Sequence, residues 1–228
     1  MKHSLLKMAT AALLAIPLNG LAQGWNFGAE AGYVNNTLAV EEYESTARNG
    51  FKIGVNAEYT LGNHISFESG FAYIRKGATT SGDNMGYVRI SSIKFAEMNY
   101  LQIPLMAGYK FNLGKQFSIK PEAGGYFAAG INGDSFVTGL DNFNQPYEAR
   151  VATFSYTEST DGIAPYRPSN RADAGLAFAL NINYRHFTLK AEYDLGLATV
   201  TYYGNGKQRT LSVSLAYWLN TSIRRGKK

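Results

Sequence analysis

Polar and apolar residues alternate strictly along the segment FKIGVNAEYTL, which runs from Phe51 to Leu61. Side chains on a β-strand alternate between two faces with a period of two, so this pattern predicts a strand with one apolar and one polar face. The same alternation recurs in eight segments, which are Trp25–Val34, Phe51–Leu61, Ile65–Ile74, Tyr100–Phe111, Phe117–Ile131, Asp173–Tyr184, Phe187–Leu197 and Thr210–Leu219. The pattern therefore predicts an all-β protein of eight strands.

Short and long connections follow one another between these strands. The short ones are Gly62–His64, Asn112–Gln116 and Arg185–His186, and the long ones span residues 35–50, 77–99, 132–172 and 198–209. Each short connection keeps the apolar faces in phase, so hairpin pairing sets Leu61 against Ile65, Phe111 against Phe117, and Tyr184 against Phe187. An even number of strands with short turns at one end and long loops at the other is typical of an eight-stranded, antiparallel up-and-down transmembrane β-barrel.

The two faces of the predicted strands differ in chemistry. One face carries charges of both signs, which we interpret as a charge network in the barrel interior: Lys52, Glu58, Glu68, Lys110, Lys120, Glu122, Asp173, Lys190, Glu192 and Asp194. The other face is apolar and has aromatic residues near both strand ends, as expected where a barrel crosses two membrane interfaces. A soluble, lipocalin-like periplasmic carrier is the alternative, and it requires the apolar face to point inward.

The first 22 residues have the features of a cleaved secretory signal peptide. Lys2 and Lys7 precede a short apolar run, and Gly20 and Ala22 supply small residues before a cleavage site. We therefore expect an exported protein with a barrel over residues 23–220 and a basic tail over residues 221–228. The chain has no cysteine, which excludes disulfides and a cysteine-linked lipid anchor.

Composition supports a membrane barrel and argues against nucleic acid as a partner. The charged fraction is 17% and the aromatic fraction is 14%, and beyond the signal segment no run approaches the roughly 20 apolar residues of a membrane helix. The net charge is only +5, and the basic residues form no stripe along the chain. The expected location is the outer membrane of a Gram-negative bacterium, with membrane lipid as the surrounding partner.

Candidate catalytic groups are few, and the chain is predicted not to be an enzyme. A lipid-modifying barrel enzyme needs a base near the outer leaflet, yet His64 and His186 fall in short turns at the opposite end. Glu58 and Glu68 should face each other across the first hairpin, and a carboxylate pair can do acid-base chemistry. The structural interpretation is favoured, in which Lys120 or Lys110 lies between the two carboxylates. No cofactor or metal site is predicted.

The long connection over residues 132–172 is the best candidate for a binding function. It holds six aromatic residues among polar ones: Phe136, Phe143, Tyr147, Phe154, Tyr156 and Tyr166. Long loops on rigid scaffolds commonly carry binding sites. The alternative is that these side chains fold the loop back over the mouth of the barrel.

Four strand segments carry a family resemblance: YLQIPLMAGYKF from Tyr100, PEAGGYFAAG from Pro121, DAGLAFALNINY from Asp173 and LKAEYDLGLATV from Leu189. They resemble strands of the PorT-type outer-membrane β-barrel family common in Bacteroidetes. The resemblance implies a barrel fold and an association with protein secretion.

We expect a monomeric, non-enzymatic barrel with a structural or binding role and a possible protein partner at its loops. A lipid-modifying barrel enzyme and a soluble carrier are the alternatives.

Overall fold

The computed structural model describes residues 24–40, 44–81, 84–85, 88–140, 144–156, 168–201 and 205–219. The predicted signal peptide and basic tail lie outside these ranges. The described strands are β1 (Trp25–Ala39), β2 (Ser45–Leu61), β3 (Ile65–Ser81), β4 (Asn84–Met85), β5 (Val88–Tyr109), β6 (Phe111–Asn112), β7 (Phe117–Asn132), β8 (Asp134–Leu140), β9 (Pro146–Ala152), β10 (Ala172–Tyr184), β11 (Phe187–Thr201) and β12 (Gly206–Trp218). Within the described ranges, no helix has the length and apolarity needed to cross a bilayer.

Eight of these strands close into an antiparallel barrel. Following the pairing around the wall gives the order β1-β2-β3-β5-β7-β10-β11-β12, and β12 pairs with β1 to complete the circle. The barrel has a short-turn end, where the three short connections lie, and a long-loop end opposite to it. At the long-loop end β8 pairs with β5, and β9 pairs with β8. The predicted fold class, an all-β barrel of eight strands, is confirmed.

Two of the three predicted hairpin registers agree with the structure. Leu61 pairs with Ile65, and Tyr184 pairs with Phe187. The third prediction is wrong, because Phe111 pairs with Ile119 and not with Phe117. The strand is interrupted between Tyr109 and Phe111, and the Leu113 amide donates to the Phe117 carbonyl at 3.1 Å, which shortens the turn by one residue pair.

The apolar face of the barrel wall points outward. Val55, near the middle of β2, is 52% exposed, whereas the adjacent Asn56 is 4% exposed. The alternative of a soluble carrier requires the opposite facing and is therefore wrong for these strands. Aromatic side chains meet near the short-turn end, where Trp25 packs on Tyr59 with ring centroids 5.2 Å apart, and near the long-loop end, where Phe51 packs on Tyr73 at 5.8 Å.

Several strands run well beyond the apolar band into the regions predicted as loops. β1 continues to Ala39 and β3 to Ser81, so the loops are shorter than the predicted ranges 35–50 and 77–99. In these extensions the apolar side chains point inward, and they form a buried cluster with the β8–β9 hairpin. Its larger members are Val34, Leu38, Ile74, Ile93, Phe95, Met98, Tyr100, Met106, Tyr126, Val137, Val151, Phe154 and Val200. We call β8, β9 and the extensions of β2, β3 and β5 the outer sheet.

Candidate functional site

Lys120 occupies the centre of the charged interior near the short-turn end. Its ammonium lies 2.9 Å from Glu68 and 2.8 Å from Glu122, and it also contacts Glu58. The β2–β3 register places Glu58 directly opposite Glu68. Lys120 reaches both carboxylates from β7, which is not adjacent to either β2 or β3 in the wall. The three carboxylates are therefore joined across the lumen by one cation.

Two more lysines extend this network around the barrel. Lys52 lies 3.1 Å from Glu30 and 2.9 Å from Glu192. Lys190 lies 2.5 Å from Glu68 and 3.7 Å from Glu192. Because β2 and β11 are not neighbours in the wall, the Lys52–Glu192 pair crosses the lumen. Fully buried ion pairs of this kind are strongly destabilised when one partner is removed.

A second polar group lies closer to the long-loop end. The ammonium of Lys76 is 3.2 Å from Asp173, and it faces the rings of Tyr126 and Tyr100 at 4.9 and 5.4 Å. The Tyr126 hydroxyl donates to the Asp173 carboxylate at 3.2 Å. Asp194 accepts a hydrogen bond of 3.0 Å from the Gln102 amide. Aromatic rings and hydrogen bonds thus surround these charges on the lumen side.

The structure adds Glu30 and Lys76 to the predicted interior residues. Both residues lie on the polar face of the alternating pattern. Glu30 was missed because its neighbours are small or apolar, and Lys76 was missed because the strand was predicted to end before it, at Ile74. With these two included, the described interior holds seven buried carboxylates and four buried lysines. Carboxylates therefore exceed lysines by three.

Lys110 does not belong to the interior network, contrary to the prediction. It lies between β5 and β6 at the short-turn end, half-buried, and forms no ion pair with any described carboxylate. The physical reason is the break in the strand at this residue, where the backbone of Lys110 exchanges hydrogen bonds with His64. The other nine predicted residues are buried in the lumen.

Three carboxylates of the network have the spacing of a metal-ligand set. Oxygen atoms of Glu58, Glu68 and Glu122 lie within 4.8 Å of one another. The Lys120 ammonium contacts all three, so it already supplies the positive charge that such a set would otherwise take from a metal ion. This geometry gives the cluster a structural role in holding the barrel together.

The two described histidines lie at the short-turn end. Nδ1 of His64 is 3.0 Å from the Lys110 carbonyl, and its ring stacks on Tyr109 at 5.2 Å. Nδ1 of His186 is 2.9 Å from the Trp218 carbonyl, and its ring lies 5.7 Å from that of Tyr217. Both rings therefore pack a short turn against aromatic residues at the short-turn end. The long loops lie at the opposite end of the barrel.

The aromatic residues of the longest connection have different environments. Phe154 is 7% exposed and packs edge-on against Tyr100, with ring centroids 5.5 Å apart. The prediction that its side chain is available to a ligand is therefore wrong. Its ring covers Gly130, where a side chain would collide with it at 2.6 Å. Tyr147 also packs against the buried cluster. This part of the connection folds back over the barrel mouth.

Other members of the same set lie nearer to the solvent. Tyr156 is 61% exposed. Phe136, on β8, is partly buried, and the ammonium of Lys94 lies 5.8 Å from the centre of its ring. Phe143 and Tyr166 lie outside the described residues. Of the described residues in this set, Tyr156 is exposed, Phe136 and Tyr147 are partly buried, and Phe154 is buried.

One ion pair joins the two strands of the outer hairpin. The Arg150 guanidinium on β9 donates to Asp134 on β8 at 2.5 Å. This hydrogen bond and the positive charge of Arg150 hold the pKa of the Asp134 carboxyl below its usual value. Both side chains are substantially exposed, so the pair contributes little to stability.

A model of the outer membrane protein beta-barrel domain family matches residues 21–202 of the sequence. The chain belongs to this family. Membership agrees with the outward apolar face and the closed antiparallel barrel, and it places the protein in the outer membrane of Gram-negative bacteria. No curated protein matches the chain.

Solved structures of outer-membrane proteins are similar to this barrel. The attachment invasion locus protein Ail of Yersinia pestis is 15% identical, with 86% of this chain and 99% of Ail covered and a TM-score of 0.40. Neisserial surface protein A is 14% identical, with 84% and 96% covered and a TM-score of 0.42. OprG from Pseudomonas aeruginosa is 12% identical, with 87% and 97% covered and a TM-score of 0.47.

Proposed function

We propose that this protein is a non-enzymatic, non-conducting outer-membrane barrel that binds a protein partner through its outer sheet. The observation that carries the proposal is the contrast between a filled interior and an exposed outer sheet. Ion pairs fill the lumen near the short-turn end, and the apolar cluster under Phe154 fills it near the long-loop end. An eight-stranded barrel is just wide enough for its own side chains to fill.

The positions of the histidines support a non-enzymatic role. A barrel enzyme that acts on outer-leaflet lipid needs a base at the long-loop end, because longer loops of outer-membrane barrels are extracellular. His64 and His186 both lie at the other end, and each has a ring nitrogen next to a backbone carbonyl. The buried carboxylates are enclosed in the lumen, where a lipid headgroup has no access.

The free edge of β9 is the part of the outer sheet best suited to a protein partner. β9 pairs with β8 on one side, and no described strand pairs with its other side. An exposed strand edge offers backbone donors and acceptors to an added strand. Glu148 and Arg150 are exposed along this edge and supply charges of both signs for selecting that strand.

Single-cysteine labelling tests the topology, because the natural chain has no cysteine. We would compare Glu148→Cys on β9 with Lys115→Cys in a short turn; both side chains are exposed. A membrane-impermeant maleimide should label Glu148→Cys in intact cells and Lys115→Cys only after the cells are opened. Labelling of Lys115→Cys alone in intact cells would mean that the barrel has the opposite orientation and would overturn the proposed binding surface.

Photo-crosslinking tests the partner. A photoreactive amino acid at Glu148, on the free edge, should yield a discrete protein adduct in living cells. The matched control is the same amino acid at Thr46, which is exposed on β2 of the outer sheet but lies away from the β9 edge. Equal adducts at both positions, or none at Glu148, would contradict binding at the edge and leave the barrel assignment intact.

A link to protein secretion rests on the resemblance to PorT-type barrels in segments such as YLQIPLMAGYKF. We propose that the partner at the outer sheet belongs to a secretion apparatus. Deleting the gene should then lower the amount of secreted protein in the medium and raise it inside the cell envelope, and a plasmid copy should restore both. An unchanged secreted fraction would refute this part of the proposal.

A further inference from the structure

An open groove of about 420 Å³ interrupts the lipid-facing wall where β7, β10 and β11 run side by side. Its walls are the outward side chains of Phe127 and Leu197, which are 62% and 56% exposed. The residues that line it are mostly small or apolar: Gly125, Phe127, Ala174, Gly175, Leu197 and Ala198. The surface there is concave, whereas large side chains cover most of the barrel wall.

Two local features of the backbone create the groove. Gly125 has the outward parity of β7 and leaves the floor of the groove without a side chain, where a Cβ atom would lie 3.1 Å from the Gly175 carbonyl oxygen. β11 also bulges between Leu195 and Thr199, where three residues of β11 lie opposite only one residue of β12, Gln208. Bulges re-aim side chains and bend the strand locally. The concavity is therefore built into the wall and does not depend on a flexible side chain.

The groove lies on the long-loop side of the membrane band. Phe127 is an outward aromatic residue on the long-loop half of β7, and Leu197 points outward on the long-loop half of β11. Aromatic residues at these positions mark the interface of acyl chains and headgroups. A groove at this level faces the outer leaflet, given that the long loops are extracellular.

Two cations stand on the outward side of β12 beside this groove. Arg209 is opposite Leu195, at the start of the bulge, and Lys207 is opposite Thr199, at its end. Nη1 of Arg209 donates to the Gly196 carbonyl at 2.7 Å, which directs the guanidinium toward β11. On the other side of β12, the paired residues on β1 are Thr37 and Ala39.

No described carboxylate forms an ion pair with Arg209 or Lys207. Arg75 presents a contrast at the same end of the barrel, because its guanidinium is 3.1 Å from Glu97. The two cations lie at a headgroup interface next to an apolar groove, and none of the residues paired with them is acidic. Such a surface is complementary to an amphiphile with a negatively charged head.

We propose that the groove and the Lys207–Arg209 pair bind a phosphate-bearing lipid of the outer leaflet. One acyl chain lies in the groove between Phe127 and Leu197, and the phosphate accepts hydrogen bonds from the two cations. The inference rests on the orientation of the barrel and is independent of a partner at the β9 edge. It assigns a lipid site to a region of the wall that the sequence patterns did not single out.

Native mass spectrometry of the full chain in detergent micelles tests the site. The probes are dimyristoyl phosphatidic acid and dimyristoyl glycerol, which share their acyl chains and differ in the phosphate. We expect retention of phosphatidic acid on the natural chain and a loss of about tenfold in apparent affinity for the Lys207→Gln/Arg209→Gln variant, because charge-assisted hydrogen bonds to phosphate are lost. Equal retention of the two lipids by the natural chain would overturn the proposal.

Two variants separate a built site from general attraction by charge. Ala174→Phe should fill the groove and weaken phosphatidic acid binding while both cations stay in place; if it fails to fold, Leu197→Ala removes one wall instead. Arg75→Gln is the matched control for charge and should bind like the natural chain. A loss with Arg75→Gln equal to that of the double variant, or unchanged binding in both groove variants, would show attraction by charge alone and refute the groove.

Discussion

Lys120 is the residue on which we expect the interior of the barrel to depend most. Its ammonium contacts Glu58, Glu68 and Glu122, which come from three different strands. Replacing it by Met leaves these buried carboxylates without their shared cation. We predict that Lys120→Met lowers the free energy of unfolding by about 3–5 kcal/mol, the range for breaking a buried ion pair. Guanidinium unfolding in lipid vesicles, followed by tryptophan fluorescence, measures this.

Lys110→Met is the matched control for that experiment. The same substitution removes a lysine from the short-turn end, but Lys110 is half-buried and forms no ion pair with a described carboxylate. A surface substitution of this kind usually changes stability by less than about 0.5 kcal/mol. Equal destabilisation by the two variants would mean that the loss comes from removing any lysine near the short turns, and not from the interior network.

At the scale of the element, β2 shows that one strand has two different surroundings. Val55 lies in the lipid-facing part, midway between Phe51 and Tyr59, while Thr46 lies in the outer sheet and is exposed there. We predict that Val55→Arg costs about 2–4 kcal/mol, as a charge does near the bilayer midplane, and that Thr46→Arg costs under about 1 kcal/mol. Unfolding in vesicles compares them; similar costs would contradict the membrane boundary placed between them.

This change of surroundings also explains what the sequence could and could not predict. The lipid-facing strand halves alternate with large apolar residues outward, and the pattern predicted their number, facing and closure. In the extension of β1, Leu38 points inward while its neighbours Thr37 and Ala39 are polar or small, so the same alternation with the faces reversed was interpreted as a loop. Glu30 was missed because no charged neighbour marks its face.

Contacts between distant strands were the other limit. The pairing of Glu58 with Glu68 follows from hairpin geometry, and Lys120 could be suggested as their partner because it lies on the same inward face. The pairing of Phe111 with Ile119 could not be predicted, because it depends on one backbone hydrogen bond between Leu113 and Phe117. The β8–β9 hairpin is short, and its inward residues Val137 and Val151 are buried only in a cluster that other strands complete.

Phe154 is the large apolar side chain that packs the segment after β9 onto the barrel. Truncation to alanine removes its contact with Tyr100 and uncovers Gly130. We predict that Phe154→Ala costs about 3–5 kcal/mol within the outer sheet, as for other buried aromatic residues, and exposes this segment to protease in intact cells. Tyr156→Ala, at an exposed position two residues on, should leave the protease pattern unchanged. Equal resistance of both variants would refute the role of Phe154.

At the scale of the whole molecule, the lumen is closed at two separate levels. Charged residues joined by Lys52, Lys120 and Lys190 fill one level, and the apolar cluster beneath Phe154 fills the other. We predict that the purified protein in planar lipid bilayers gives no unitary conductance steps in concentrated potassium chloride. Phe154→Ala should stay silent too, because the ionic level still blocks the lumen. Regular steps in the natural chain would contradict the filled interior, whereas steps confined to Phe154→Ala would show that the apolar level alone closes the barrel.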